Sequence, residues 1–152
     1  MKIIYRYPIL AKPLPAQALR SVFYRAYLRR ETASAKPALK MLMSKIKTGK
    51  FRPHYNRAEI DKLFRDQVLA PYGSGRYLHE RKLDSIGCWN DLLNNLATIA
   101  KSNRDYLRES RNDPPEDRLD AARDVQQGII KLKIIEDYIY YHPEILSGVI
   151  TD

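Results

Sequence analysis

Ala18-Leu19-Arg20-Ser21-Val22-Phe23-Tyr24-Arg25-Ala26-Tyr27-Leu28-Arg29-Arg30 carries four arginines, no acid and an apolar repeat of helical period. Leu19, Val22, Phe23 and Ala26 fall at i, i+3, i+4 and i+7, which places them in one stripe along a helix. Pro15 suits a helical first turn, so the spacing predicts a helix over residues 15–30. Arg25 and Arg29 stand one turn apart on its flank. Leu28 lies nearly opposite the stripe, where a second covering surface is expected. Such a helix buries one face against other helices and holds cations beside it.

The chain after residue 30 repeats this pattern. Pro37 opens a second helix over 38–48 with the stripe Leu39, Leu42, Met43 and Ile46, and Gly49 is placed to end it. The loop Lys50-Phe51-Arg52-Pro53-His54-Tyr55 follows. Asn56, with Glu59 three residues on, reads as a capping box. It introduces a third stripe of Ile60, Leu63, Phe64 and Val68 or Leu69, stopped by Pro71-Tyr72-Gly73-Ser74-Gly75. A longer helix is expected over 84–110, from Ile86, Trp89, Leu92 or Leu93, Leu96, Ile99 or Ala100, and Leu107, with Gly87 as a blemish near its start. Two prolines make 111–117 a loop. A last helix over 116–141 buries Leu119, Ala122, Val125, Ile129, Leu132, Ile135 and Tyr138 or Ile139. His142-Pro143 ends it, with a short turn after it. Nothing calls for a sheet. The expectation is an all-α helical bundle. Pro8 and Pro13 make 1–13 an extended arm. Residues 14–152 form one domain, in which a basic three-helix unit (14–70) precedes a long helical extension (84–142).

Charge divides the chain more sharply than hydropathy does. The net charge is +9, yet residues 1–57 hold fourteen Lys/Arg against one acid, Glu31, a formal +13, and residues 58–152 carry −4. The first third therefore offers a positive surface to phosphates, anionic lipid or an acidic protein. An acid-poor, Arg-bearing start also suits mitochondrial import, without the Ser-rich form of a cleaved presequence. The single cysteine, Cys88, excludes an internal disulfide and a cysteine zinc cluster. No apolar run approaches the roughly 20 residues that span a bilayer.

No catalytic constellation is legible. His54, His79 and His142 lack metal-ligand spacing with acids or with Cys88. Gly73-Ser74-Gly75-Arg76 lacks the lysine and strand of a phosphate-binding loop. Cys88, before Trp89 on an apolar face, reads as a buried inert thiol. Asp117, Asp120 and Asp124 favour a helix N-terminus and can pair with Arg118 and Arg123. Tyr138, Tyr140 and Tyr141 suit either an interface or packing at the bundle end. The reading is a non-enzyme with no catalytic residues, no metal and no cofactor of its own.

Phe23-Tyr24-Arg25-Ala26-Tyr27-Leu28-Arg29 resembles the signature of the LYR-motif family, commonly L-Y-R-x-x-L-R near the start of a basic three-helix protein. Phe23 stands for the leucine, and Tyr24, Arg25, Leu28 and Arg29 match. Ile46-Lys47-Thr48-Gly49-Lys50-Phe51-Arg52 resembles the family's I-R-x-x-F-R pattern with one extra residue. The resemblance covers about residues 16–70, and the two longer helices are an elaboration on it.

The resemblance implies a mitochondrial accessory subunit or assembly factor of a large complex that binds the acidic mitochondrial acyl carrier protein. Tyr24, Arg25, Arg29, Lys47 and Arg52 would contact the partner, the arginines through charge-assisted bonds to carboxylates and phosphate. The carrier's acyl-phosphopantetheine would enter a tunnel lined by Leu19, Val22, Phe23, Leu42, Met43, Ile60 and Phe64, gaining about 0.8 kcal/mol per buried CH₂. The alternative is an RNA-binding component, such as a mitochondrial ribosomal protein, using the basic third on phosphates.

Overall fold

The computed structural model describes residues 21–30, 34–70 and 83–150, with the side chains of residues 28–30 left out. The expected arm over 1–13, Leu19, the side chains of Leu28 and Arg29, and the break at 71–75 lie outside what is described. Five helices follow one another in the described residues: α1 Val22–Arg30, α2 Ala35–Lys47, α3 Arg57–Leu63, α4 Ile86–Glu109 and α5 Pro115–Tyr141. A π-helical segment, Phe64–Leu69, continues α3, and a 3₁₀ turn, Pro143–Leu146, follows α5. The fold is all-α, a helical bundle.

The two long helices form an antiparallel hairpin. Ser85 caps α4 by accepting the Cys88 N–H at 3.3 Å. Pro115 occupies the first turn of α5 with Glu116 and Asp117 beside it, where acids complement the helix dipole. The prolines expected to make a loop thus start a helix: Pro114 stands at its cap and Pro115 opens it, because the N–H of a first-turn residue makes no bond within the helix. Arg118 does not pair with the nearby acids. Its Nη1 donates to the Leu107 and Ser110 carbonyls at 3.0 and 2.8 Å, closing the end of α4. Arg123 does pair with Asp120, at 3.2 Å. Further along, Gly128 lets α5 approach the Leu96–Ala100 turn of α4 closely. Ala100 is buried there, whereas Ile99, weighed as its alternative, is 51% exposed.

From Leu132 to Asp137, α5 is buried on every side, three charged residues included. It is the axis of the bundle. The earlier helices pack around it and α4: α1 against α2, α4 and α5, α2 against α4, and α3 with its π extension against α5. They have 9, 13 and 7 residues, so packing rather than propensity holds them.

Two more helix starts and one helix interior differ from the sequence expectation. The stripe predicts one helix through 15–30, but α1 begins at Val22, with Ser21 as its cap. α2 begins at Ala35 rather than 38, because Asn90 of α4 accepts the Ala35 N–H. The third helix widens into a π turn at Phe64. Residues four apart then stay in line, so that Ile60, Phe64 and Val68 are all buried. The Asn56–Glu59 capping box forms as expected, and Gly49, at φ 73°, ends α2.

The two helical glycines in described segments should respond oppositely to alanine. At Gly87 the nearest atom to a new Cβ is 3.8 Å away, so Gly87→Ala should stabilise by up to about 1 kcal/mol. At Gly128 a Cβ meets the Ala100 Cβ at 3.0 Å and the Leu96 carbonyl oxygen at 3.3 Å. Both belong to a packed helix, so Gly128→Ala should destabilise by about 1–3 kcal/mol. Urea unfolding of the two variants checks the contrast in sign.

Candidate functional site

The signature stretch is positioned from the far end of the chain. Ser21 accepts the Tyr24 N–H on its Oγ at 3.2 Å and donates its hydroxyl to Glu136 Oε2 at 2.5 Å. The same Oε2 accepts the Phe23 N–H at 3.0 Å. A carboxyl from α5 therefore holds N–H and O–H groups at the start of α1 that would otherwise be left without partners. With the first turn fixed, Phe23, Tyr24, Ala26 and Tyr27 face inward and Arg25 faces out.

Tyr24 is not a surface contact, as the resemblance implies it would be. It is buried near Arg104 and Asp105 of α4, and burial raises its hydroxyl's pKa. The Tyr27 hydroxyl is buried without a hydrogen bond, and burial pushes it up to about 12.

Asp137 and Lys133 position the next stretch. Asp137 Oδ2 accepts the His54 and Tyr55 N–H groups at 2.7 and 2.8 Å. Lys133 Nζ donates to the Arg52 carbonyl at 3.1 Å, pairs with Asp137 at 3.0 Å and sits 4.2 Å from the Phe51 ring centroid. Tyr141 adds a bond from its hydroxyl to the Tyr55 carbonyl, at 2.8 Å. The backbone of 51–55 is thereby anchored while the Arg52 side chain stays exposed. Of the tyrosines at the end of α5, Tyr138 stacks on Phe64 at 3.9 Å, and Tyr140 remains exposed beside Phe51.

α2 supplies the basic surface. At 100° per residue, Lys36, Lys40, Met43 and Lys47 fall within about 60° of one another, and the buried Ala35, Ala38, Leu39 and Leu42 centre about 120° away. The three lysines are exposed and Met43 is half-buried between them. Arg25, Lys50, Arg52 and Arg57 are exposed on neighbouring segments, and residues 32–58 hold no acid. A groove of about 630 Å³ runs between α2 and the C-terminal turn. Lys40, Met43 and Lys47 line one side, and Pro143, Leu146 and Ile150 line the other.

The residues expected to line a tunnel divide in two. Val22, Phe23, Leu42, Ile60 and Phe64 are between 0 and 6% exposed and form part of one packed core. Met43 alone of the described ones borders the groove. Of the expected partner contacts, Arg25, Lys47 and Arg52 are exposed, and Arg29 belongs to α1.

The sequence reading missed Lys133, Glu136 and Asp137, and it missed the C-terminal wall of the groove. A signal for the first was present. These charges interrupt a stretch of α5 with apolar residues on more than one face, where only a fully enclosed helix would put them. Among the described residues no cluster of three or more His, Cys, Asp or Glu side chains suits a metal. No helix there is long and apolar enough to cross a membrane. Cys88 is buried. Comparison with protein-family models, curated proteins and solved structures finds no match to this chain.

Burial lifts the Glu136 carboxyl to about 7, against the opposing bonds from Ser21 and the Phe23 N–H and the attraction of Lys133, 3.9 Å away. Oε2 takes both hydrogen bonds and Oε1 has none, leaving Oε1 for the proton. A folded-state value above the unfolded 4.5 means that the folded chain binds the extra proton between them. The stabilisation is complete below pH about 4.5 and is lost as pH rises through about 7. Relative to Glu136→Gln, the wild-type urea midpoint should fall across this window, by the equivalent of up to about 3 kcal/mol. Parallel pH profiles for the two proteins would refute this account.

Proposed function

We propose that the chain is an LYR-like mitochondrial adaptor, a non-enzymatic accessory subunit or assembly factor that binds acyl carrier protein on its basic face. The observation that carries this reading is the basic surface of residues 34–58, a stretch without an acid, with Arg25 of the signature stretch exposed as well. Such a surface steers an acidic partner into encounter and fixes its register. Among the described side chains of the signature, Phe23 and Tyr24 serve packing, and Arg25 is exposed to meet a carboxylate or phosphate.

The closed packing of Val22, Phe23, Leu42, Ile60 and Phe64 adds a condition. An acyl chain reaching them has to part α1 from its neighbours. α1 is nine residues long and its first turn hangs on a single carboxyl, so it is the element suited to move.

Two measurements test the reading. Intact-complex mass spectrometry of the native protein should show an acidic partner carrying an acyl-phosphopantetheine mass. Arg25→Glu with Arg52→Glu should weaken binding of that carrier at least about tenfold, with stability held within about 0.5 kcal/mol because both side chains are exposed. A native complex without a carrier, or unchanged affinity in the double variant, removes the proposal. A partner released by ribonuclease would point to RNA instead.

A further inference from the structure

The carboxyl that docks α1 is only half satisfied. Glu136 is 0% exposed, and its Oε2 accepts both the Ser21 hydroxyl, at 2.5 Å, and the Phe23 N–H, at 3.0 Å. Its Oε1 is buried without a hydrogen bond. Lys133 Nζ stands 3.9 Å from Oε1 but is engaged elsewhere, 3.0 Å from Asp137 Oδ1 and donating to the Arg52 carbonyl at 3.1 Å. A buried carboxylate is costly unless donors or a close cation meet its charge, whereas the neutral acid asks far less. Ionisation is therefore opposed while α1 lies in place, and eased once water reaches Oε1.

The groups on the surrounding elements leave Lys133 as the charge that acts on Glu136. On α1, burial raises the Tyr24 and Tyr27 hydroxyls above their usual range, so both stay neutral, and Arg25 is exposed. On α4, Arg104 and Asp105 lie near Tyr24 as a pair of opposite sign at 3.0 Å, and the buried Cys88 accepts the Ser85 hydroxyl at 3.3 Å. His54 and Tyr55 turn their N–H groups to Asp137. α2, α3 with its π extension, and the C-terminal 3₁₀ turn bury only apolar side chains.

We propose that the Glu136 proton is a latch on α1: its loss shifts α1 toward an opened state while the α4–α5 hairpin stays folded. With α1 closed, burial lifts this carboxyl to about 7, against 4.5 for a free one. The closed form therefore holds a proton that the open form releases between these values. Closure is fully supported below about pH 4.5 and is lost as pH rises through about 7. Acidification by one unit from neutrality should lower the open population about fivefold. Opening uncovers Phe23 and Tyr27, both buried in the closed form. The latch needs no partner and does not rest on the adaptor reading; where that reading holds, it governs the parting of α1 that an acyl chain requires.

Native-state amide hydrogen exchange on the full chain, without any partner, tests this. Protection of the Phe23, Tyr24 and Tyr27 amides, corrected for intrinsic exchange, should fall at least about tenfold from pH 5 to pH 8. In Glu136→Gln, which keeps an acceptor for Ser21 and Phe23 but cannot ionise, that fall should vanish. At pH 8 the wild-type α1 amides should exchange with a weak dependence on added urea, as a local opening does, while the Leu93, Ala97 and Leu132 amides follow the steeper slope of global unfolding. The proposal is overturned if the α1 amides share the global urea slope at pH 8, since α1 then opens only when the whole chain does. It is overturned equally if wild type and Glu136→Gln show the same pH dependence at α1. The urea comparison needs no variant, so it decides the matter even if Glu136→Gln fails to fold.

Discussion

Three charged side chains sit on two turns of α5 where an ordinary bundle would hold only aliphatic ones. Glu136, Asp137 and Lys133 are each at most 3% exposed, and each bonds or pairs with groups from residues 21–55. Burying such groups is unfavourable unless the partners are in place, and removing one partner of a buried pair typically costs about 3–5 kcal/mol. The short N-terminal elements are thereby held at defined points as well as packed. Glu136 fixes where α1 begins, Asp137 and Lys133 fix the path of the loop before α3, and Asn90 of α4 fixes the start of α2. Hydrophobic burial alone would let these pieces slide along the hairpin. Polar contacts with direction do not.

This arrangement explains what could be read in the chain and what could not. The helices and their order follow from apolar spacing, from the Asn56–Glu59 capping box and from Gly49, all of which act over a few residues. The starts of α1 and α2 and the π widening of the third helix have non-local or packing causes. Nothing within residues 15–30 announces that Ser21 is a cap, because the carboxyl that completes the cap lies 115 residues away. The start of α2 depends on Asn90, and the widening at Phe64 accompanies its stacking on Tyr138. Local patterning reports local structure, and these features were decided elsewhere in the chain.

The candidate site divides in the same way. Its charge was legible because it is compositional: residues 32–58 carry no acid wherever they fold. Helix phase put Arg25 on the flank of its stripe, where it is exposed, whereas Lys47, exposed as well, was named only through the resemblance. Tyr24 was misplaced, because a tyrosine's polar tip gives no hint that α4 will cover it. The groove was invisible, since one wall comes from α2 and the other from residues 143–150, about a hundred positions on. What emerges is a division of labour. The hairpin of α4 and α5 gives the frame, and residues 34–57 give it a cationic face.

The sequence separations across the Ser21–Glu136 and His54–Asp137 contacts, 115 and 83 residues, also set an order of events during synthesis. α5 is made after residues 21–55, so these leave the ribosome before their anchors exist. They wait as an unlocked, strongly cationic segment until the final two turns of α5 appear. Contacts of this range close slowly, and that interval exposes Phe23 and Leu42 next to a dense positive charge. An acidic protein present at that stage would meet the chain before its core had shut.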